Sequence, residues 1–232
     1  MKFRTLILSG LIAGLSPWVS AQNIDVEVTN LTHGIYFTPI LIAAHDADTV
    51  LFEVGTVASA ELQAMAEGGD LAGLIADLDG VGAVSVANPA EGLLAPATTT
   101  SATNIDTGEL DNLSIVAMLL PTNDGFAGLD GWMIPDTAGS YTIWLNAYDA
   151  GTEANDEQVT GGGAPGAPGI PANPGANGGV DGTGVTTEEA NQTVHIHRGN
   201  VGDADATGGI SDVDSRIHRW LNPVAKVVVT VN

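Results

Sequence analysis

The stretch Leu113–Leu120, LSIVAMLL, is followed directly by PTNDGFAG over residues 121–128. An unbroken apolar run bounded by turn residues is typical of a buried strand. A second segment, Ser140–Leu145 (SYTIWL), alternates as a strand does and is followed by acidic residues and glycine over 148–157. Two strands that each end in an acidic loop predict a β-rich domain with carboxylates at one rim.

Other segments along the chain also have the pattern of strands. Ile24–Thr29 and Gln192–His197 alternate apolar with polar residues, and Ala225–Val231 is rich in valine. Tyr36–Ala44 is a longer apolar run in which Pro39 marks an edge or a bulge. Several strands with long, turn-rich connections indicate an all-β protein with a β-sandwich architecture.

Two segments interrupt this pattern. In Ala58–Leu78 the apolar residues recur at near-helical spacing around Gly68-Gly69, which predicts two short helices on one side of a sheet. We interpret their apolar stripe as core packing. Residues 161–184 are dense in Gly, Pro, Ala and Asn and predict a flexible surface loop. Because predicted strands flank this loop, it is an insertion into one domain over residues 22–232.

The N-terminus has the features of an export signal. Lys2 and Arg4 precede the apolar run Leu6–Leu15, and small residues lead to Ala21, so residues 1–21 are predicted to be a signal peptide. The run is short for crossing about 30 Å of hydrocarbon, so we expect cleavage and no membrane insertion afterwards. An uncleaved anchor is the alternative. The predicted location is secreted, periplasmic or extracellular, and the lack of cysteine excludes disulfides.

The charge is strongly one-sided. The chain has 28 Asp and Glu against 6 Lys and Arg, a net charge of −22, with no Lys or Arg between Thr5 and His197. Nucleic acid and anionic membrane surfaces are excluded as partners because both require clustered cations. One interpretation is solubility in a salty medium, where salt screens the repulsion. The other is binding of multivalent cations, and both can hold together.

Carboxylates at the ends of two predicted strands form the first candidate metal site. Asp124 follows one strand, and Asp149 and Glu153 follow the other. If the strands are neighbours, these side chains meet at one rim and offer the oxygen ligands that Ca²⁺ takes six to eight at a time. Gly125 and Gly151 would let backbone carbonyls turn inward. Asp and Gly are also ordinary turn residues.

A twelve-residue acidic segment near the C-terminus is a second candidate calcium loop. Oxygen-bearing side chains stand at its positions 1, 3, 5, 9 and 12, which are Asp203, Asp205, Thr207, Ser211 and Asp214. The last position is Asp where a longer Glu is usual, and the flank before it resembles a strand. The alternative interpretation is a solvated acidic turn.

His195 and His197 form a third constellation, because strand alternation places both imidazoles on one face. With His45 or His218 they could form a three-histidine zinc site, which supports an alternative function as a metal-dependent secreted enzyme. Isolated pairs of this kind are common, and His45 is expected to be a hydrogen-bonded histidine at a strand end. With no nucleophile motif or nucleotide-binding fingerprint in the sequence, we expect a non-catalytic protein.

A set of short motifs in fixed order carries a family resemblance. They are Val28–Thr32, Thr38-Pro39, Ala43–His45, Ala58–Leu62, Ala66–Gly69, Pro121–Gly128, Asp149–Thr152 and Trp220–Lys226. In these, the chain from about Val26 to Val231 resembles the spondin domain. That domain is the N-terminal module of F-spondin and mindin and also occurs alone in bacterial secreted proteins.

The resemblance implies a C2-like antiparallel β-sandwich with calcium at a loop-bearing rim. By position it implies Asp124 and Asp149 as metal ligands, whereas Glu153 stands where animal members have Asp. It also implies an adhesive role, so we expect a secreted calcium-binding module that recognises an extracellular or cell-surface ligand. Two departures, the absence of cysteine and the Gly/Pro insertion after Glu157, bear on the partner more than on the fold.

Overall fold

A computed structural model describes residues 22–232, and the predicted signal peptide lies outside these residues. The described part of the chain contains ten strands and two helices. The strands are β1 (Gln22–Asn30), β2 (Tyr36–Phe37), β3 (Leu41–His45), β4 (Val84–Ala87), β5 (Thr99–Gly108), β6 (Asn112–Leu120), β7 (Gly125–Met133), β8 (Gly139–Asp149), β9 (His195–Ile196) and β10 (Ala225–Val231). The helices are α1 (Ala60–Gly68) and α2 (Ala72–Gly80).

All pairs between these strands are antiparallel, in the order β4-β3-β6-β7-β8-β10-β1-β5, with β2 added to β6 and β9 to β8. The sheet is nearly closed, because the two end strands β4 and β5 approach each other. Its two halves therefore face one another across one core. This confirms the predicted all-β sandwich with two short helices.

The sheet is buried on both faces at β6. Ile115 and Ala117 join the central core between the two halves of the sheet. Val116 and Met118, which point the other way, pack with α1 and α2 in a second apolar cluster. This double burial explains why LSIVAMLL has no polar alternation, and it confirms the prediction of a buried strand.

The two helices are separated where the sequence predicts a break, at Gly68-Gly69. The Ser59 hydroxyl caps α1 by accepting the N–H of Leu62 at 3.0 Å. Gly69 ends the helix in the left-handed conformation at φ 71°. On the outer side of the sheet α1 packs against β6 and α2 against β4, and Met65 and Leu74 are buried in the same cluster, so the apolar stripe is core.

Some predicted strand boundaries are wrong. Tyr36–Ala44 is two strands instead of one, because the chain breaks around Pro39, which has no N–H to donate. From Gln192–His197 only β9 forms. The residues predicted to be a loop over 121–128 already enter β7 at Gly125. As a result β7 lies between β6 and β8, and these two strands are not neighbours.

The strand β8 runs the length of the sandwich. It begins at Gly139, which pairs with Val231 of β10, and it ends at Asp149, which pairs with Gly125 of β7. The strand β1 also pairs with β10, with Ile24 opposite Val231. The ends of the described chain and the rim that carries Asp149 therefore lie at opposite poles of the molecule.

The Gly/Pro-rich insertion has no regular strand or helix. Its backbone N–H groups nevertheless donate to three buried carboxylates. Gly166 donates to Glu67 at 2.6 Å, Gly169 to Glu153 at 2.5 Å, and Gly182 to Asp212 at 2.9 Å. The structure thus places the insertion against the body of the domain, and its flexibility stays a prediction.

Candidate metal centre

The pairing of β7 with β8 brings Asp124 and Asp149 to one rim. Asp124 closes the turn before β7, in which the Gly125 N–H donates to the Thr122 hydroxyl at 3.0 Å. Asp149 ends β8 opposite Gly125, and the next N–H, that of Ala150, donates to the carbonyl of Asp124 at 3.2 Å. The rim predicted from two adjacent strands therefore exists, although β7 is the strand that builds it.

Asp124 is fully buried, and only one of its two carboxylate oxygens accepts hydrogen bonds from the described chain. Its Oδ2 accepts the N–H of Thr152 at 2.8 Å and that of Glu153 at 3.2 Å. Its Oδ1 is buried and has no hydrogen-bond partner within residues 22–232. Burial, and next the nearby charge of Asp149, raise the pKa of Asp124 to about 7.

Asp149 is the central carboxylate of the rim. Its Oδ1 accepts the N–H of Gly151 at 2.9 Å, and its Oδ2 accepts the side-chain amide of Asn155 at 2.7 Å. Burial raises its pKa, against the opposing effect of the Asn155 hydrogen bond. Gly151 has φ 70°, and a Cβ there would lie 2.7 Å from the backbone N of Thr193. The lack of a side chain at Gly151 therefore allows the segment that leads into β9 to pass close to the rim.

Glu153 links the rim to the insertion. Its Oε1 accepts the Gly169 N–H, whereas its Oε2 is buried without a partner in the described part of the chain. Burial is the main reason that its pKa rises to about 8. The charge of Asp149 raises the pKa of Asp124, and the charge of Asp124 raises that of Glu153, so the structure gathers the three predicted acids in one neighbourhood.

The three acids of the rim do not converge on a single point. Across residues 22–232, no group of three His, Cys, Asp or Glu residues is placed so that it could hold a metal ion. Calcium does not need such a group, because carbonyl, amide and water oxygens also complete its coordination. The residues fit a calcium ion on a different ground, namely the two buried, unpartnered carboxylate oxygens of Asp124 and Glu153.

The two predicted histidines adjoin the same rim. Asp149 pairs with His195 in register, and its Oδ2 lies 3.8 Å from Nε2 of His195 and 4.0 Å from Nε2 of His197. Both imidazoles thus reach one carboxylate, which confirms the prediction that they share a face. The sequence treats the acidic rim and the histidine pair as separate sites, whereas the fold merges them.

The hydrogen bonds of the two rings favour different tautomers. Nδ1 of His195 lies 2.8 Å from the Thr193 carbonyl and must donate, so in the neutral ring the lone pair is on Nε2. Nδ1 of His197 accepts the Gly199 N–H at 2.9 Å, so its proton sits on Nε2. Burial lowers the pKa of His197 to about 3 and keeps this ring neutral. Only His195 offers a nitrogen lone pair towards Asp149.

The other two candidate histidines are engaged elsewhere. Nε2 of His45 lies 2.7 Å from the Ser114 hydroxyl and its Nδ1 lies 2.8 Å from the Asp46 carbonyl, as expected of a hydrogen-bonded strand-end histidine. Nδ1 of His218 accepts the N–H of Asp214 at 3.1 Å. In the described chain neither histidine completes a three-histidine set with the pair.

The second candidate calcium loop is satisfied by its own chain. Asp203 accepts the N–H groups of Asp205 and Ile210, both at 2.8 Å. Asp214 forms an ion pair with Arg216 at 2.6 Å, and this hydrogen bond holds its pKa at about 2. Asp205 and Thr207 are exposed. These bonds are those of the alternative interpretation, a solvated acidic turn, and calcium binding here stays a prediction.

Three further buried carboxylates do not stand out in the sequence. Each oxygen of Glu67, Glu157 and Asp212 accepts a hydrogen bond. Apart from Gln63, which lies four residues from Glu67, their partners are distant in sequence, as with Val159, which donates to Asp212 from 53 residues away. Local sequence therefore carries no signal that separates these acids from the many on the surface.

Comparison with known families gives a match to the family model described as Spondin_N over residues 29–160, more than half of the chain. No curated protein sequence matches. The match includes Asp124, Asp149 and Glu153 and ends one residue before the Gly/Pro-rich insertion. The resemblance traced to Val231 extends beyond it, and His195 lies outside it.

Proposed function

The chain belongs to the Spondin_N family, and from this membership we propose that it is a secreted, calcium-binding module for adhesion or surface recognition, without catalysis. Two observations agree with this proposal. The family is an extracellular one, and no helix within residues 22–232 is long and apolar enough to cross a membrane. The ligand we propose is an extracellular or cell-surface molecule, and the acidic surface argues against nucleic acid.

One observation carries the calcium part of the proposal. Glu67, Glu157 and Asp212 are buried with both oxygens satisfied, whereas Asp124 and Glu153 each leave one buried oxygen without a partner in the described chain. An unpaired buried carboxylate costs several kcal/mol unless it is neutralised or bound. A hard cation that takes oxygen ligands would remove this cost.

The alternative, a zinc enzyme based on His195 and His197, has weaker support. A histidine binds zinc through a nitrogen lone pair, and the hydrogen bond from Gly199 leaves Nε2 of His197 protonated. His195 alone retains a suitable nitrogen beside Asp149. We therefore place calcium first and treat zinc binding as the outcome that would replace it.

The test is calorimetric titration of residues 22–232 with calcium, together with melting at constant ionic strength. We expect calcium at a hundredfold excess over Kd to add roughly 2.7 kcal/mol of stability. At about 2–4 °C per kcal/mol this raises Tm by about 5–10 °C. Asp149→Asn should lose this binding, because it removes the central charge of the rim.

Glu109→Gln is the matched control, since Glu109 is an exposed acid outside both candidate calcium sites. It should keep the stoichiometry and the Tm response of the wild type. Equal responses in Asp149→Asn and the wild type would rule out the rim as the calcium site. Zinc binding that is lost in His197→Ala would instead establish the alternative.

A further inference from the structure

The outward face of β8 carries a row of large side chains beside the rim. Trp144, Asn146 and Tyr148 alternate with the buried residues Leu145 and Ala147, so the three share the face directed away from the central core. Trp144 is 56% exposed, which is unusual for the largest apolar side chain. Surface tryptophan of this kind is enriched at recognition sites.

This row forms one wall of a groove of about 320 Å³. The Phe52 ring packs on Tyr148 with ring centroids 5.0 Å apart and lies over Gly128, where a Cβ would meet it at 2.7 Å. The polar lining consists of Glu53, Asp130 and Asn146. The groove therefore combines aromatic rings with two carboxylates.

The groove has no basic lining residue. Its residues lie between Phe52 and Tyr148, inside the part of the chain that lacks Lys and Arg. The N–H of Leu51 donates to Asp130 at 2.8 Å and fixes that carboxylate, and Glu53 is exposed. One cation, Lys226, pairs with Trp144 in register from β10, on the side away from β7.

We propose that this groove binds a guanidinium or alkylammonium group, supplied by an Arg or Lys side chain of a basic protein partner. A cation is attracted to the face of Trp, and the carboxylates of Glu53 and Asp130 in the lining would attract it as well. A protein with net charge −22 also steers a basic partner towards itself. The proposal deepens the recognition function by giving the chemistry of the partner, and it does not require the metal centre.

The first experiment follows the indole N–H signals of ¹⁵N-labelled protein during titration with arginine methyl ester at about 0.15 M salt. We expect a saturable shift of the Trp144 signal and a stationary Trp132 signal, because Trp132 packs on Tyr141 instead. Glu53→Gln and Asp130→Asn should each weaken the affinity about threefold. An equal concentration of sodium chloride should not move Trp144.

The second experiment measures binding to an immobilised peptide of alternating Arg and Gly. Trp144→Ala should weaken binding at least about fivefold. Leu221→Ala, which shortens another exposed apolar side chain, should leave it unchanged. The wild type should bind the peptide equally well with calcium and with chelator at constant ionic strength, so failure of the metal proposal would be seen separately.

Three results would overturn the proposal. The first is a Trp144 signal that does not move with arginine methyl ester. The second is a Trp144→Ala variant that binds the peptide as well as Leu221→Ala does, because equal binding would show that the peptide is held by general charge attraction. The third is a shift of the Trp144 signal with maltotriose and none with the ester, which would identify the groove as a saccharide-binding surface instead.

Discussion

At the residue scale, Asp124 and Glu153 set the dependence of stability on pH. The pKa of Asp124 rises from 3.8 to about 7 on folding and that of Glu153 from 4.5 to about 8, chiefly through burial. The folded state therefore retains protons that the unfolded state releases. By linkage, the metal-free protein loses stability as pH rises from about 4 through 8.

We predict that Asp124→Asn removes much of this loss. In chelator at constant ionic strength, Tm of the wild type should fall by about 5 °C more than Tm of the variant between pH 5 and pH 8. His197 has the opposite effect on stability, because its lowered pKa reduces stability only as pH falls below 6.5. The wild type and Asp124→Asn both contain His197, so its effect cancels in the comparison. Identical pH profiles would show that Asp124 is not protonated in the fold.

The residues of the rim were accessible to sequence reasoning only in part. Asp124 and Asp149 are predictable because strand ends place acids at a rim, and the family resemblance implies the same two residues as ligands. Two contacts are not predictable, because they join distant parts of the chain: His195 beside Asp149, and Gly169 on Glu153. Pairing of β8 with β9 creates the first, and the packing of the insertion against the domain creates the second.

At the scale of elements, the insertion over 161–184 tests how far buried carboxylates can order a Gly-rich segment. Glu67 and Glu153 accept the N–H groups of Gly166 and Gly169. A carboxylate is a stronger acceptor than an amide, so replacing Glu67 by Gln weakens its anchor. We predict that Glu67→Gln speeds hydrogen exchange in the peptide 161–171 about tenfold.

The measurement is exchange followed by mass spectrometry, and Glu188→Gln serves as control because Glu188 is exposed. The control should exchange as the wild type does. Complete exchange of this peptide in the wild type at the earliest time would show that the anchors do not hold and that the loop is flexible, as the sequence predicts.

The elements also differ in how well the sequence predicts them. The strands β1 and β10 and both helices carry apolar periodicity, and β6 is an unbroken apolar run, so all of these were predictable. In contrast, β5 is rich in Thr, and its alternation of buried and exposed residues is interrupted between Ala102 and Ile105. The strand β7 begins in turn-like sequence and contains three glycines. Partner strands, which local patterns do not reveal, stabilise both.

At the scale of the whole molecule, repulsion among the carboxylates is opposed by salt. The Debye length falls from about 10 Å at 0.1 M salt to about 3 Å at 1 M, so monovalent salt screens most surface repulsion. We predict that Tm of the metal-free protein rises by several degrees over this range. Asp149→Asn should respond as the wild type does, since the effect arises from the net charge of −22. A flat response would mean that the surface charges lie too far apart to destabilise the fold.

The path of β8 also decides how the molecule would be displayed. From Gly139, beside Val231 and Ile24, to Asp149 it makes ten residue steps, roughly 33 Å. Any tether or fused segment joined before Gln22 or after Asn232 would leave from the pole opposite the rim. A copy held by either end would present the rim outward, with Trp144 about halfway along its flank.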